Sequence, residues 1–215
     1  MSTTSHDLPV AVIGAGPVGL AAAAHLTSYG LDVVVFEAGS SAGAAMSRWA
    51  HVRTFTPWRY IIDPAAEKLL APTGWTVPAG ELPPTGGQIV EQYLQPLAVA
   101  LDDRVATSRR VVAVSRDGLD KTRTVARAAR PFLVRTLDPA GTVTDVRARA
   151  VIDASGTWES PNPLGGAGLP AVGEAAAAAA GFLSRPLPDV LGRDRARFAG
   201  RRTLVAGLGH SAATP

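Results

Sequence analysis

Apolar residues fall in short runs divided by glycine, proline and charge, and the first two runs frame the chain. Leu8 to Ile13 is apolar without alternation, which predicts a strand buried on both faces of a parallel sheet. Gly14-Ala15-Gly16-Pro17-Val18-Gly19 follows, then an alanine-rich stretch to Leu26 with high helix propensity. The next run, DVVVFEAG, predicts a second strand ending in Glu37, eighteen residues beyond Gly19. Strand, glycine turn, helix and strand predict an α/β fold on a Rossmann-like parallel sheet.

Further along, Asp63 and Pro64 read as N-cap and first residue of a short helix over 63–70. Residues 71–84, rich in proline around Trp75, read as loop. Thr85 and Gln88 form a capping box for GGQIVEQYLQPLAVAL, a helix expected to kink at Pro96. From 104 to 154, strand-like runs are punctuated by Asp117-Gly118 and Pro139-Ala140-Gly141. They predict a small antiparallel meander whose last strand continues into a buried one, Ala150 to Ala154. Leu204 to Ala206, entering Gly207-Leu208-Gly209, reads as a strand running into a second glycine turn.

The first turn carries a chemistry. Gly14 allows the tight bend, Gly16 lets backbone N–H groups approach a pyrophosphate, and Gly19 with Ala23 lets the helix lie close on the sheet. The helix N-terminus adds partial positive charge. Glu37 is placed to accept hydrogen bonds from a ribose 2′-hydroxyl and repels a 2′-phosphate, so an adenine dinucleotide other than NADP is expected there. The alternative is a βαβ unit with no ligand.

Composition narrows the classes. An apolar fraction of 47% and a mean hydropathy of +0.14 support a packed core. No run is long enough to span a bilayer, and residues 1–7 lack a signal pattern, so a cytoplasmic protein is expected. The isoelectric point is 9.8, yet the net charge is only +3. The 19 arginines lie scattered along strand-like segments with no stripe or patch, so no nucleic-acid partner is expected, and without a spanning run no membrane partner is expected either. Without cysteine, disulfide exchange within the chain is excluded. No metal cluster and no catalytic side chain stand out. His25 gains no role, His51 lacks a partner for acid–base work, and His210 lies inside the second turn.

The chain resembles the FAD-dependent pyridine-nucleotide oxidoreductases with two dinucleotide-binding domains, in particular their flavin-containing monooxygenase-like branch. VAVIGAGPVGLAAAAHL with Glu37 is similar to the FAD fingerprint, and RRVVAV (109–114) to the strand whose backbone, around Val111, meets adenine. AVIDASGTWESPNP is similar to the second FAD signature, with Ala154, Ser155 and Gly156 at its small-residue positions and Pro161 and Pro163 after them. GRRTLVAGLGHSA is similar to the NAD(P)H fingerprint, with Gly207, Gly209 and Ser211. Arg53, within SRWAHVRTFTPWRY, is near an arginine of the stretch that passes the flavin ring. Trp49 and Trp58 belong either to that stretch or to a core or interface.

The resemblance implies an FAD-binding domain over 1–158, incomplete without its C-terminal segment, a connecting segment over 159–202 and the truncated start of an NAD(P)-binding domain over 203–215, together an N-terminal fragment expected to be inactive by itself. It implies FAD and NADPH or NADH as cofactors, with a small-molecule substrate and O2. The branch's Phe-x-Gly-x-x-x-His signature does not occur in 182–202, which favours flavin reduction over oxygen insertion. A non-catalytic FAD- or nucleotide-binding module is the alternative.

Overall fold

The computed structural model describes residues 7–80, 82–207, 209 and 212. Its centre is a four-stranded parallel sheet: β1 (Val10–Ile13), β2 (Val33–Phe36), β3 (Val105–Ala106) and a last strand, Ala150–Asp153. The order runs β3, β2, β1, then that last strand. β1 is central, in register from Val10 to Ile13 with Val33–Phe36 on one side and Ala150–Asp153 on the other. A strand paired along both edges and covered on both faces must be apolar throughout, as Val-Ala-Val-Ile is.

α1 (Pro17–Ser28) crosses from β1 to β2 and buries Gly19, Leu20, Ala23 and Ala24. Short helices α2 (Ala44–Ser47) and α3 (Trp58–Ile61) lead to α4 (Pro64–Leu70), whose cap Asp63 accepts from the N–H groups of Ala65 and Ala66. The Thr85–Gln88 capping box opens α5 (Gly86–Ile89). Together with α6 (Gln95–Leu101), these helices bury Leu20, Leu70, Tyr93, Leu94 and Leu97 against one face of the sheet.

The expected kink at Pro96 takes another form. A wide π turn, Val90–Leu94, joins α5 to α6 just ahead of the proline. Proline cannot donate to the carbonyl four residues back, and its ring crowds that group. That carbonyl belongs to Gln92, and the Trp75 indole N–H donates to it instead, at 2.7 Å.

The antiparallel meander is β4 (Arg110–Arg116), β5 (Phe132–Leu137) and β6 (Val143–Ala148), followed directly by β7 (Ala150–Asp153) in the parallel sheet. Val105 and Ala106, read above with the meander's run, pair instead with β2. Two residues are too few to carry a periodicity of their own. Ala11 and Phe36 on the sheet's second face pack with Val134 and Ala148, fixing the meander there. The result is three layers: helices, parallel sheet, meander. The expected strand over Leu204–Ala206 is absent. Leu204 is 92% exposed, and among the described residues no neighbouring strand is there to satisfy its backbone.

Candidate nucleotide-binding site

Four segments converge at the carboxyl end of β1. The first is the turn itself. The Gly14 N–H donates to the Phe36 carbonyl at 2.8 Å, and Gly14 adopts φ +99, a conformation open to glycine. A Cβ on Gly14 would lie 2.6 Å from the Ala154 carbonyl oxygen, so the second requirement is closeness to the end of β7. A Cβ on Gly19 would lie 1.9 Å from the Gly14 carbonyl oxygen, which brings α1 down on the turn. A Cβ on Gly16 would meet nothing within 4 Å; that position looks onto open space. No side chain caps the N-terminus of α1, and its first turn carries no acidic residue.

The second segment holds Glu37, half-buried at the end of β2. One carboxylate oxygen accepts from the Ala15 N–H at 2.8 Å and the other from the Gly39 N–H at 2.7 Å. Glu37 is therefore fixed against the glycine turn, and each oxygen retains a lone pair for a further donor. The third segment lies alongside it: Ser108 N–H donates to the Gly39 carbonyl and Arg109 N–H to the Glu37 carbonyl. The fourth is the end of β7, where Asp153 accepts from both the hydroxyl and the N–H of Ser155. Those bonds, the hydroxyl's first, hold the Asp153 carboxyl below its ordinary range despite partial desolvation. Gly156 follows at φ +69.

The sequence family described as an NAD(P)-binding Rossmann-like domain matches residues 12–71, the stretch holding the turn and Glu37. Over 62 residues the chain is 48% identical to the flavin-containing monooxygenase-like protein FMO GS-OX-like 10 of Arabidopsis thaliana. The aligned region is 29% of this chain and 13% of that protein. An oxidised steroid monooxygenase bound to NADP is similar in structure, with a TM-score of 0.51 and 28% identity over 69% of this chain and 26% of that one. The bacillithiol disulfide reductase of Bacillus cereus shares the fold, with a TM-score of 0.57 and 24% identity over 72% of this chain and 41% of that one. The chain thus spans well under half the length of these relatives. Residues 12–71 match a Rossmann-like domain, and the fold around them is one that flavoprotein oxidoreductases share.

Other features of this Rossmann-like domain lie around the turn. Beside Pro17 opens a cleft of about 350 Å³, lined chiefly by Met46, Trp49, Phe55, Ile89 and Leu187. Arg53 lies on its wall, with its guanidinium donating to the Pro83 carbonyl and its backbone bridged to Thr85. Trp58 packs in the core, while Trp49 faces the cleft and covers Gly86. The Arg48 guanidinium pairs with Glu159 of the connecting segment.

The predicted site residues divide accordingly. Gly14, Ala15, Gly16, Pro17, Val18, Gly19, Glu37, Ala154, Ser155 and Gly156 come together, and Val111 lies a few residues beyond the strand segment that flanks Glu37. Val111 packs under the meander against the sheet. Gly207 and Gly209 are exposed and stand outside this cluster, with Gly207 at φ +133; Ser211 and His210 lie outside the described residues. Arg109 opens the RRVVAV stretch expected beside the adenine, whereas Ser108 lies outside every motif, since nothing local marks a loop that meets Gly39 only through the fold. His25, given no role, contacts the Asp63 carboxylate at 3.0 Å and ties α1 to the cap of α4.

Proposed function

We propose that this chain is the FAD-binding part, residues 1–158, of an NAD(P)H-dependent flavin oxidoreductase of the monooxygenase-like kind, acting on a small molecule with O2. The observation that carries the reading is the uncapped N-terminus of α1, open at Gly16, with Glu37 already fixed beside it. These residues fit an adenine dinucleotide. First-turn N–H groups of α1 have no side-chain acceptor and are available to a pyrophosphate. Glu37 has acceptor capacity left for ribose hydroxyls, and its charge disfavours a 2′-phosphate. The Ser108–Val111 backbone flanks the adenosine side, and Ala154–Gly156 flanks the turn.

The apolar cleft beside Pro17 is suited to a flat ring and keeps water from it, with Arg53 supplying a cation at its wall. The chemistry a bound flavin supplies is electron transfer between NADPH or NADH and oxygen. Gly207, Gly209 and Ser211 belong, under the same reading, to the unit that binds the nicotinamide nucleotide. The assignment of soluble, cytoplasmic character goes with it; among the described residues no helix is long and apolar enough to cross a membrane.

The test is nucleotide retention. The full-length relative that carries this sequence, purified with added FAD, is expected to stay yellow through gel filtration and to release FAD on denaturation. Colourless protein that binds NAD in its place would refute the assignment.

A further inference from the structure

The arginines scattered in the sequence gather in the fold. Residues 107–149, which comprise the meander and its flanking loops, hold ten cationic side chains against four aspartates. That balance of +6, in a chain of net +3, leaves the remaining residues at −3. Three of the aspartates are already paired, Asp138 with Arg109, Asp145 with Arg135 and Asp117 with Arg147.

The long loop from Asp117 to Pro131, between β4 and β5, concentrates what is left. Lys121, Arg123 and Arg130 are exposed and form no ion pair among the described residues. The loop is internally built. Turn bonds run from the N–H of Arg123 to Asp120, of Arg127 to Thr124 and of Ala129 to Ala126. The Arg127 guanidinium is turned inward onto the carbonyls of Asp120 and Arg123. At its middle stands Val125, 85% exposed and flanked on both sides by these cations.

We propose that this loop is a docking surface for an anionic lipid bilayer, with the cations against the headgroups and Val125 entering the interface. Charge complementarity selects an anionic partner. The exposed valine among cations favours a bilayer over a nucleic acid, because an apolar tip gains from the headgroup–acyl boundary. Residues 117–131 also contain no aromatic side chain on which a base would stack. The loop lies at the end of β4 away from Glu37, roughly 20 Å along a seven-residue strand, so docking leaves the glycine turn and cleft free. The expectation of no membrane partner rests on the lack of a run long enough to span a bilayer, which does not bear on a peripheral contact made by an exposed loop.

Sedimentation with vesicles tests the proposal without reference to flavin. Binding to phosphatidylcholine vesicles containing phosphatidylserine is expected at low salt, with little binding to pure phosphatidylcholine, and release at about 0.5 M NaCl. Arg123→Glu with Arg130→Glu should weaken binding at least tenfold, on the order of what two removed cations contribute. Val125→Ser should weaken vesicle binding severalfold and leave binding to single-stranded DNA or heparin unchanged. Unchanged thermal unfolding checks that both variants fold. Three results would overturn the proposal: no binding to phosphatidylserine vesicles, binding indifferent to the loop variants, or vesicle binding that ignores Val125 while DNA binds as tightly.

Discussion

Gly14 and Gly16, two residues apart, do different work. Gly14 combines φ +99 with a neighbouring carbonyl 2.6 Å from where a Cβ would sit. Gly14→Ala is therefore expected to destabilise the fold by about 1–3 kcal/mol, read as a lowered denaturant midpoint. Gly16 has φ −83 and open space. Gly16→Val should change stability by no more than about 1 kcal/mol while abolishing FAD retention, since only the ligand is obstructed. Equal loss of stability in both variants would show that the open space at Gly16 is not the binding side. For Glu37→Ala, FAD affinity measured by fluorescence titration is expected to fall by ~1–3 kcal/mol through lost charge-assisted bonds. An unchanged affinity would remove Glu37 from the site.

At the scale of elements, the π turn and its surroundings make a pH prediction. Tyr93 sits on that turn, and its hydroxyl accepts the Asp63 N–H at 3.1 Å. Burial, first, pushes its ionisation above the ordinary 10.0, so the folded chain holds the proton after the unfolded chain has lost it. The stability tied to that proton is complete below about pH 10 and is lost as pH rises through the higher native value. Tyr93→Phe should cost about 1 kcal/mol at neutral pH and flatten the alkaline fall in stability. Parallel alkaline slopes for the two proteins would contradict this. Capping signals were legible because they are local: Asp63 before Pro64, and Thr85 three residues ahead of Gln88. The π turn was not, because the group that satisfies Gln92 comes from Trp75, a contact made across the fold. Of the site, Glu37 and the glycine turn were legible from spacing. Ser108 and Arg109 reach it only through the pairing of β3 with β2.

For the whole molecule, the two sheets meet through one small cluster, in which partly buried side chains such as Val34, Val111 and Val146 surround four buried ones. Val134 on β5, fully buried against Ala11, Phe36 and Ala148, is the meander's main apolar anchor. Val134→Ala is expected to cost about 1–3 kcal/mol and to raise amide exchange in β4–β6 more than in β1 and β2. A uniform rise would mean that the layers unfold as one unit. The insertion of the meander also has a consequence in time. β1 pairs early with β2, but its other edge waits for Ala150–Asp153, the strand that follows the meander. At ribosomal speeds of ~5–20 residues per second, that edge stays bare for roughly 6–23 s of synthesis. During this interval Val10–Ile13 presents one unpaired apolar edge on a nascent chain, open to chaperones and to neighbouring chains alike.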